Sequence, residues 1–90
     1  MITTVDLLNR LRVEKQLLSD RHVARYLDIS AASVNRWRNG GTMSDEHAVI
    51  IADMLELDVD FVLLAIIAER SKNNRAIHAL ERLTEDRKIA

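Results

Sequence analysis

The sequence predicts an all-α fold: five short helices followed by an amphipathic C-terminal helix. Three observations predict it. Apolar residues recur at three- and four-residue spacing along most of the 90 residues, the period of a helix buried on one side. A Ser, Thr or Asp stands ahead of the first five runs, where its side chain can accept from free N–H groups of a helix's first turn. There is no proline, so caps and glycine must set every boundary. A chain of this length makes one domain, and a hydrophobic fraction of 48% is enough to bury a core.

The first helix is expected from about Thr4 to Leu17, capped by Thr3 or Thr4, with Asp6 in its first turn. Leu7, Leu8, Leu11, Lys15 or Gln16, and Leu18 form its stripe. Ser19 or Asp20 caps a two-turn second helix, whose inner face is Val23, Ala24 and Leu27. Asp28-Ile29-Ser30 is a turn, and Ser30 caps a third helix anchored by Val34 and Trp37. Gly40 suits the left-handed end of that helix. Ser44 caps the fourth helix, with Asp45 and Glu46 in its first turn and Ala48, Ile51, Ala52 and Leu55 on its inner face. Asp58 caps the fifth, FVLLAIIAER. It is apolar almost all round and is expected to be the most buried helix. A break at Ser71–Asn74 is favoured over one continuous helix; Ala76, Ile77, Leu80 and Leu83 then face inward from a sixth.

Cysteine is absent, which excludes disulfides and thiolate metal sites and suits a reducing compartment, here the cytoplasm. MITTVDLLNRLR has no apolar leader pattern, and the run Phe61 to Ala68 is too short to span a bilayer. His22, His47 and His78 lack partners at ligand spacing, so no metal or other cofactor is expected. No serine has a His/Asp constellation around it, so catalysis is not expected either.

Net charge is −1, but the charge is segregated. Residues 1–43 carry seven Arg/Lys (Arg10, Arg12, Lys15, Arg21, Arg25, Arg36, Arg38) against Asp6, Glu14, Asp20 and Asp28, a net +3. Residues 44–69 carry seven acids (Asp45, Glu46, Asp53, Glu56, Asp58, Asp60, Glu69) and no Arg or Lys. Residues 70–90 return to +3 through Arg70, Lys72, Arg75, Arg82, Arg87 and Lys88 against Glu81, Glu85 and Asp86. The field at a surface follows local charge, so the basic half can meet an anionic polymer while the acidic middle faces away.

The stretch 20–40, DRHVARYLDISAASVNRWRNG, organises the rest. Two helices lock across a tight turn only where their contact is small, which is the place of Ala24. Ile29 plugs the core from the turn, and Asp28 tolerates the left-handed backbone required there. Burying Val34 and Trp37 turns Ala31, Ala32, Asn35, Arg36 and Asn39 outward. Small residues allow close approach to a major groove, Arg36 can bond guanine and Asn35 adenine. Phosphate contact falls to Ser30, Ser33, Arg38, Asn39 and the backbone near Ser44.

Ala24, Ile29, Ser30, Val34, Arg36, Trp37 and Gly40 resemble, in type and spacing, the lambda-repressor-like (Cro/repressor, XRE-class) helix-turn-helix family. The resemblance continues through Met43-Ser44-Asp45-Glu46 and Ala52 to Asp58 and covers roughly residues 4–68. The order SVNRWRNG, MSDEHA, AERSK and a final amphipathic helix is also similar to a family of small phage-related proteins of bacteria and filamentous prophages. It implies a five-helix DNA-binding domain over residues 1–70 (helix-turn-helix 20–40) and a C-terminal extension, 71–90. The implied function is a homodimeric, sequence-specific transcriptional regulator, a phage or prophage repressor reading a palindromic operator in double-stranded DNA. Asp28 replaces a glycine and Met43 a proline of the usual pattern, and the Gly40-Gly41-Thr42 loop lacks the basic residue some members place in the minor groove. One rival is a protein-interaction module, such as an antitoxin or antirepressor, working through the acidic middle or the C-terminal helix. Another is an architectural or excision factor that bends DNA.

Overall fold

The computed structural model describes residues 1–87 and is all-helical over that range, with six helices and no strand. They are α1 (Thr4–Glu14), α2 (Asp20–Leu27), α3 (Ala31–Arg38), α4 (Asp45–Met54), α5 (Val59–Ser71) and α6 (Asn74–Arg87). Lys88, counted among the bases of the tail, lies outside the described residues.

Short polar side chains start each helix. Thr3 accepts from the Asp6 N–H while Asp6 reaches back to the Thr3 N–H, a reciprocal cap. Ser19, Ser30, Ser44 and Asp58 accept from the N–H three residues on. The Asn73 Oδ1 does the same for Ala76 and begins α6. α2 and α4 open with the same Ser-Asp-x-His pattern, and in both the serine hydroxyl also bonds the histidine Nδ1, at 3.1 and 2.9 Å.

The ends of α1 to α4 share one device. The N–H two residues past the last full turn reaches back five residues: Leu17 to Arg12, Ile29 to Ala24, Gly41 to Arg36, Leu57 to Ala52. The residue between must take positive φ, and these are Gln16, Asp28, Gly40 and Glu56. Asp28 was expected to do so; Gln16 and Glu56 were not. The reversal at Gln16 ends α1 at Glu14, three residues earlier than its apolar spacing predicts. Lys15 and Gln16 are therefore exposed, and Leu18 stands 81% exposed instead of joining the stripe.

α1 lies at the centre, packed on α2, α3 and α4; α4 packs on α5 and α5 on α6. Leu7, Leu8 and Leu11 of α1 meet Val23, Val34, Trp37, Ile51, Val62 and Ile66, all buried. Met43 fills the core from the α3–α4 loop. α5 is not buried all round as expected. Its inner residues Val62, Ala65 and Ile66 are closed off, but Leu64 and Ile67 are 50% and 39% exposed. α4 and α6 pack on α5, and among the described residues Leu64 and Ile67 are left exposed. The break between α5 and α6 stands where expected, at a left-handed Lys72. Among the described residues, no helix is long and apolar enough to cross a membrane.

Candidate nucleic-acid interface

The surface on which the sequence reading converges is the outer face of α3. Two eight-residue helices meet across Asp28–Ser30, with Asp28 at φ 57° and ψ 48°. Ala24 is buried at that contact, and Ile29 packs on the core beside it. Val34 and Trp37 are 0% and 2% exposed. His47 meets the Trp37 ring edge-on, with centroids 5.7 Å apart, and so ties α3 to α4. With the inner face pinned, helical spacing sends Ala31, Ala32, Asn35, Arg36 and Asn39 to solvent, and all five are exposed.

Within this face the polar groups are partly held in advance. Asn39 donates to the Asn35 backbone carbonyl at 2.7 Å and to its side-chain oxygen at 3.3 Å, steadying the Asn35 amide. The Arg36 guanidinium has no hydrogen bond or ion pair to the described residues and projects free. Its stem is confined. Gly41 donates to the Arg36 carbonyl at 2.9 Å, and a Cβ on Gly41 would sit 2.9 Å from both the Arg36 Cγ and that oxygen. Ser30 and Ser33 share a hydroxyl hydrogen bond of 2.9 Å at the helix start.

Arg38 has partners within the fold. Expected among the phosphate contacts, it donates in this structure through Nε and Nη2 to the two Asp20 oxygens at 2.9 and 3.0 Å, and through Nη1 to Asn9 at 2.7 Å. Position 38 follows the buried Trp37 and turns toward α1 and α2, so its fork ties the third helix to the first two. Hydrogen bonding to Arg38 holds the Asp20 carboxyl below its ordinary range; partial burial opposes this, and the charges of Arg38 and Arg12 add to it. The Ser44 hydroxyl is likewise engaged, capping α4 through the His47 N–H at 3.2 Å.

Glu69 and Arg70, adjacent at the end of α5, hold the loop after α3. Glu69 accepts from the N–H and the hydroxyl of Thr4 at 2.9 and 2.7 Å, and the Thr4 oxygen accepts from the Met43 N–H at 3.2 Å. Arg70 pairs with Asp45 and donates to the Met43 carbonyl at 3.4 Å. The partners of Glu69 stand 65 residues away, so no local pattern could reveal them. Arg70 joins Ser33, Arg36, Ser44 and His47 around an open cleft between α3 and α4, which Asp45 and Glu46 also line.

Comparison of the chain with protein-family models, with curated proteins and with solved structures returned no match.

Proposed function

We propose that this chain is a sequence-specific DNA-binding regulator of transcription, with a lambda-repressor-like helix-turn-helix in which α3 enters the major groove. One observation carries the reading: the buried Val34–Trp37 pair and the free Arg36, beside a steadied Asn35, on the opposite face of one short helix. The small Ala31 and Ala32 let the start of α3 approach base edges and a thymine methyl. Arg36 offers a bidentate fork to guanine and Asn35 an amide to adenine. Ser30, Ser33 and the backbone at the starts of α3 and α4 offer hydrogen bonds to phosphates, which set register. The net +3 of residues 1–43 favours approach to the duplex.

Two base readers are few for tight binding by one copy, so the working form in this reading is a homodimer on a palindromic operator. α6 is the candidate contact: Ile77 and Leu80 are half-buried against the domain while Leu83 is 57% exposed. A phage or prophage repressor is the form of regulator the sequence resembles most. Selection of bound duplexes from a random pool tests the reading. Enrichment of an inverted repeat with guanine or adenine at corresponding places in each half-site supports it. Recovery of unenriched sequence, at an affinity no better than for the starting pool, contradicts it.

A further inference from the structure

The loop from α1 to α2 holds a leucine out in solvent on a fixed backbone. Leu18 is 81% exposed, yet its carbonyl accepts from Arg12 Nη2 at 2.8 Å, and the neighbouring Leu17 N–H bonds the Arg12 carbonyl at 2.8 Å. Leu17, Leu18, His22, Arg25 and Tyr26 line one open cleft with Gln16, and no Asp or Glu lines it. Arg25 forms no ion pair among the described residues, and Arg21 stands one turn before it, a like-charge spacing that helix formation disfavours. The outer face of α4 is the chemical opposite. Glu46, Val49, Ile50 and Asp53 share that face by spacing, and all four are exposed. Residues 44–69 contain no Lys or Arg, and neither Glu46 nor Asp53 forms an ion pair among the described residues.

We infer that these two surfaces meet between copies of this chain: the α1–α2 cleft of one molecule takes the outer face of α4 of another. Leu18 and Tyr26 then cover Val49 and Ile50, while Arg21 and Arg25 answer Glu46 and Asp53. Like surfaces do not pair, since cleft on cleft sets arginine against arginine and face on face sets carboxylate against carboxylate. Phosphates of DNA or of a lipid surface are repelled by the α4 face, and they gain nothing from Leu18 and Tyr26 in the cleft. One chain does not close the contact on itself, because both surfaces stand exposed in the folded molecule. Four residues on one helix make a face well below the roughly 800 Å² per partner of a standard interface, so the contact is weak and acts between copies already held close. It uses no residue assigned to DNA reading and none of α6, so it stands or falls apart from both.

The test is sedimentation of the full chain at concentrations up to about 1 mM, the scale of weak contacts. Leu83→Ser is carried in every sample, so the contact assigned to α6 does not contribute. Arg25→Glu alone and Asp53→Arg alone are each expected to weaken self-association at least about tenfold, with the far-UV spectrum and melting profile retained. An equal mixture of the two variants is expected to recover it, since each then meets on the other the charge it lacks on its own kind. Leu18→Ser is expected to weaken it about tenfold. Absence of concentration-dependent association overturns the inference, as does a mixture that associates no better than its components. Association that Leu18→Ser leaves unchanged also overturns it. If Arg25→Glu weakens binding to unrelated duplex while self-association persists, the cleft belongs to phosphates and the inference is overturned too.

Discussion

Gly41 and Arg36 are in contact: the Gly41 N–H bonds the Arg36 carbonyl at 2.9 Å, and no Cβ fits at Gly41 without striking Arg36. The neighbouring Gly40 differs. Its φ of +99° demands glycine for backbone reasons, yet a Cβ there would meet no atom within 4 Å. The two glycines therefore differ in whether a side chain there disturbs Arg36. Gly40→Ala is expected to cost about 1 kcal/mol of stability and leave the Arg36 stem in place. Gly41→Ala strikes both that stem and the Arg36 carbonyl, so it is expected to weaken binding to a selected duplex by about 1–3 kcal/mol and to lower stability as well. Thermal melts and duplex titrations on both variants check the difference.

Asp20 and Arg38 supply a pH dependence. A carboxyl held below its ordinary value of 3.8 in the folded chain contributes stability above that value, and the contribution is lost as pH falls through the lower folded value. Asp20→Asn removes the charge and keeps the shape. At pH 7 the variant is expected to be less stable by about 1 kcal/mol, a modest figure because the pair is partly exposed. The gap between variant and wild type closes in acid, below pH 3.8. Urea titrations at a series of pH values measure it; a gap that persists at the acid end would remove the ion pair as its cause.

Gln16 holds a left-handed backbone, φ 54°, at the end of α1. Its side chain is exposed, so only the backbone is at issue. Gln16→Gly is expected to stabilise the chain by about 0.5–1 kcal/mol, the steric relief less the added freedom of glycine in the unfolded chain. Denaturant unfolding reads the gain directly.

Thr4 is fully buried and joins α1, α5 and the α3–α4 loop through one hydroxyl. Thr4→Val keeps the volume, strands the Met43 N–H and removes one of Glu69's two donors from Thr4. The expected loss is about 1–3 kcal/mol. Thr4→Ser retains the hydroxyl and is expected to lose less than Thr4→Val in the same urea titration.

Where residues act through near neighbours, the sequence was informative. Ser30, Val34, Trp37 and Gly40 lie within eleven consecutive positions, and cap, anchors and terminator follow from spacing. The outward turn of Ala31, Ala32, Asn35, Arg36 and Asn39 follows from the same period. What could not be read were ties across the fold. Arg38 has the same local setting as a phosphate-binding arginine until α1 and α2 bring Asn9 and Asp20 beside it. The apolar spacing of α1 runs past the helix end because Gln16 carries no compositional mark of a left-handed residue. The exposure of Leu64 and Ile67 in α5 is not legible in the sequence, because periodicity counts apolar residues and not the neighbours that cover them.

Arg36→Ala tests the central claim most directly. The substituted side chain is exposed and unpaired among the described residues, so the fold is expected to stay intact. Wild type and variant are titrated, at several salt concentrations, against the duplex selected by the wild type and against unrelated duplex. The expected result is a loss of about 1–3 kcal/mol on the selected duplex, relaxed preference at one base position and little change in salt dependence. Equal affinity for the selected duplex, with the same base preference, would contradict a base-reading α3.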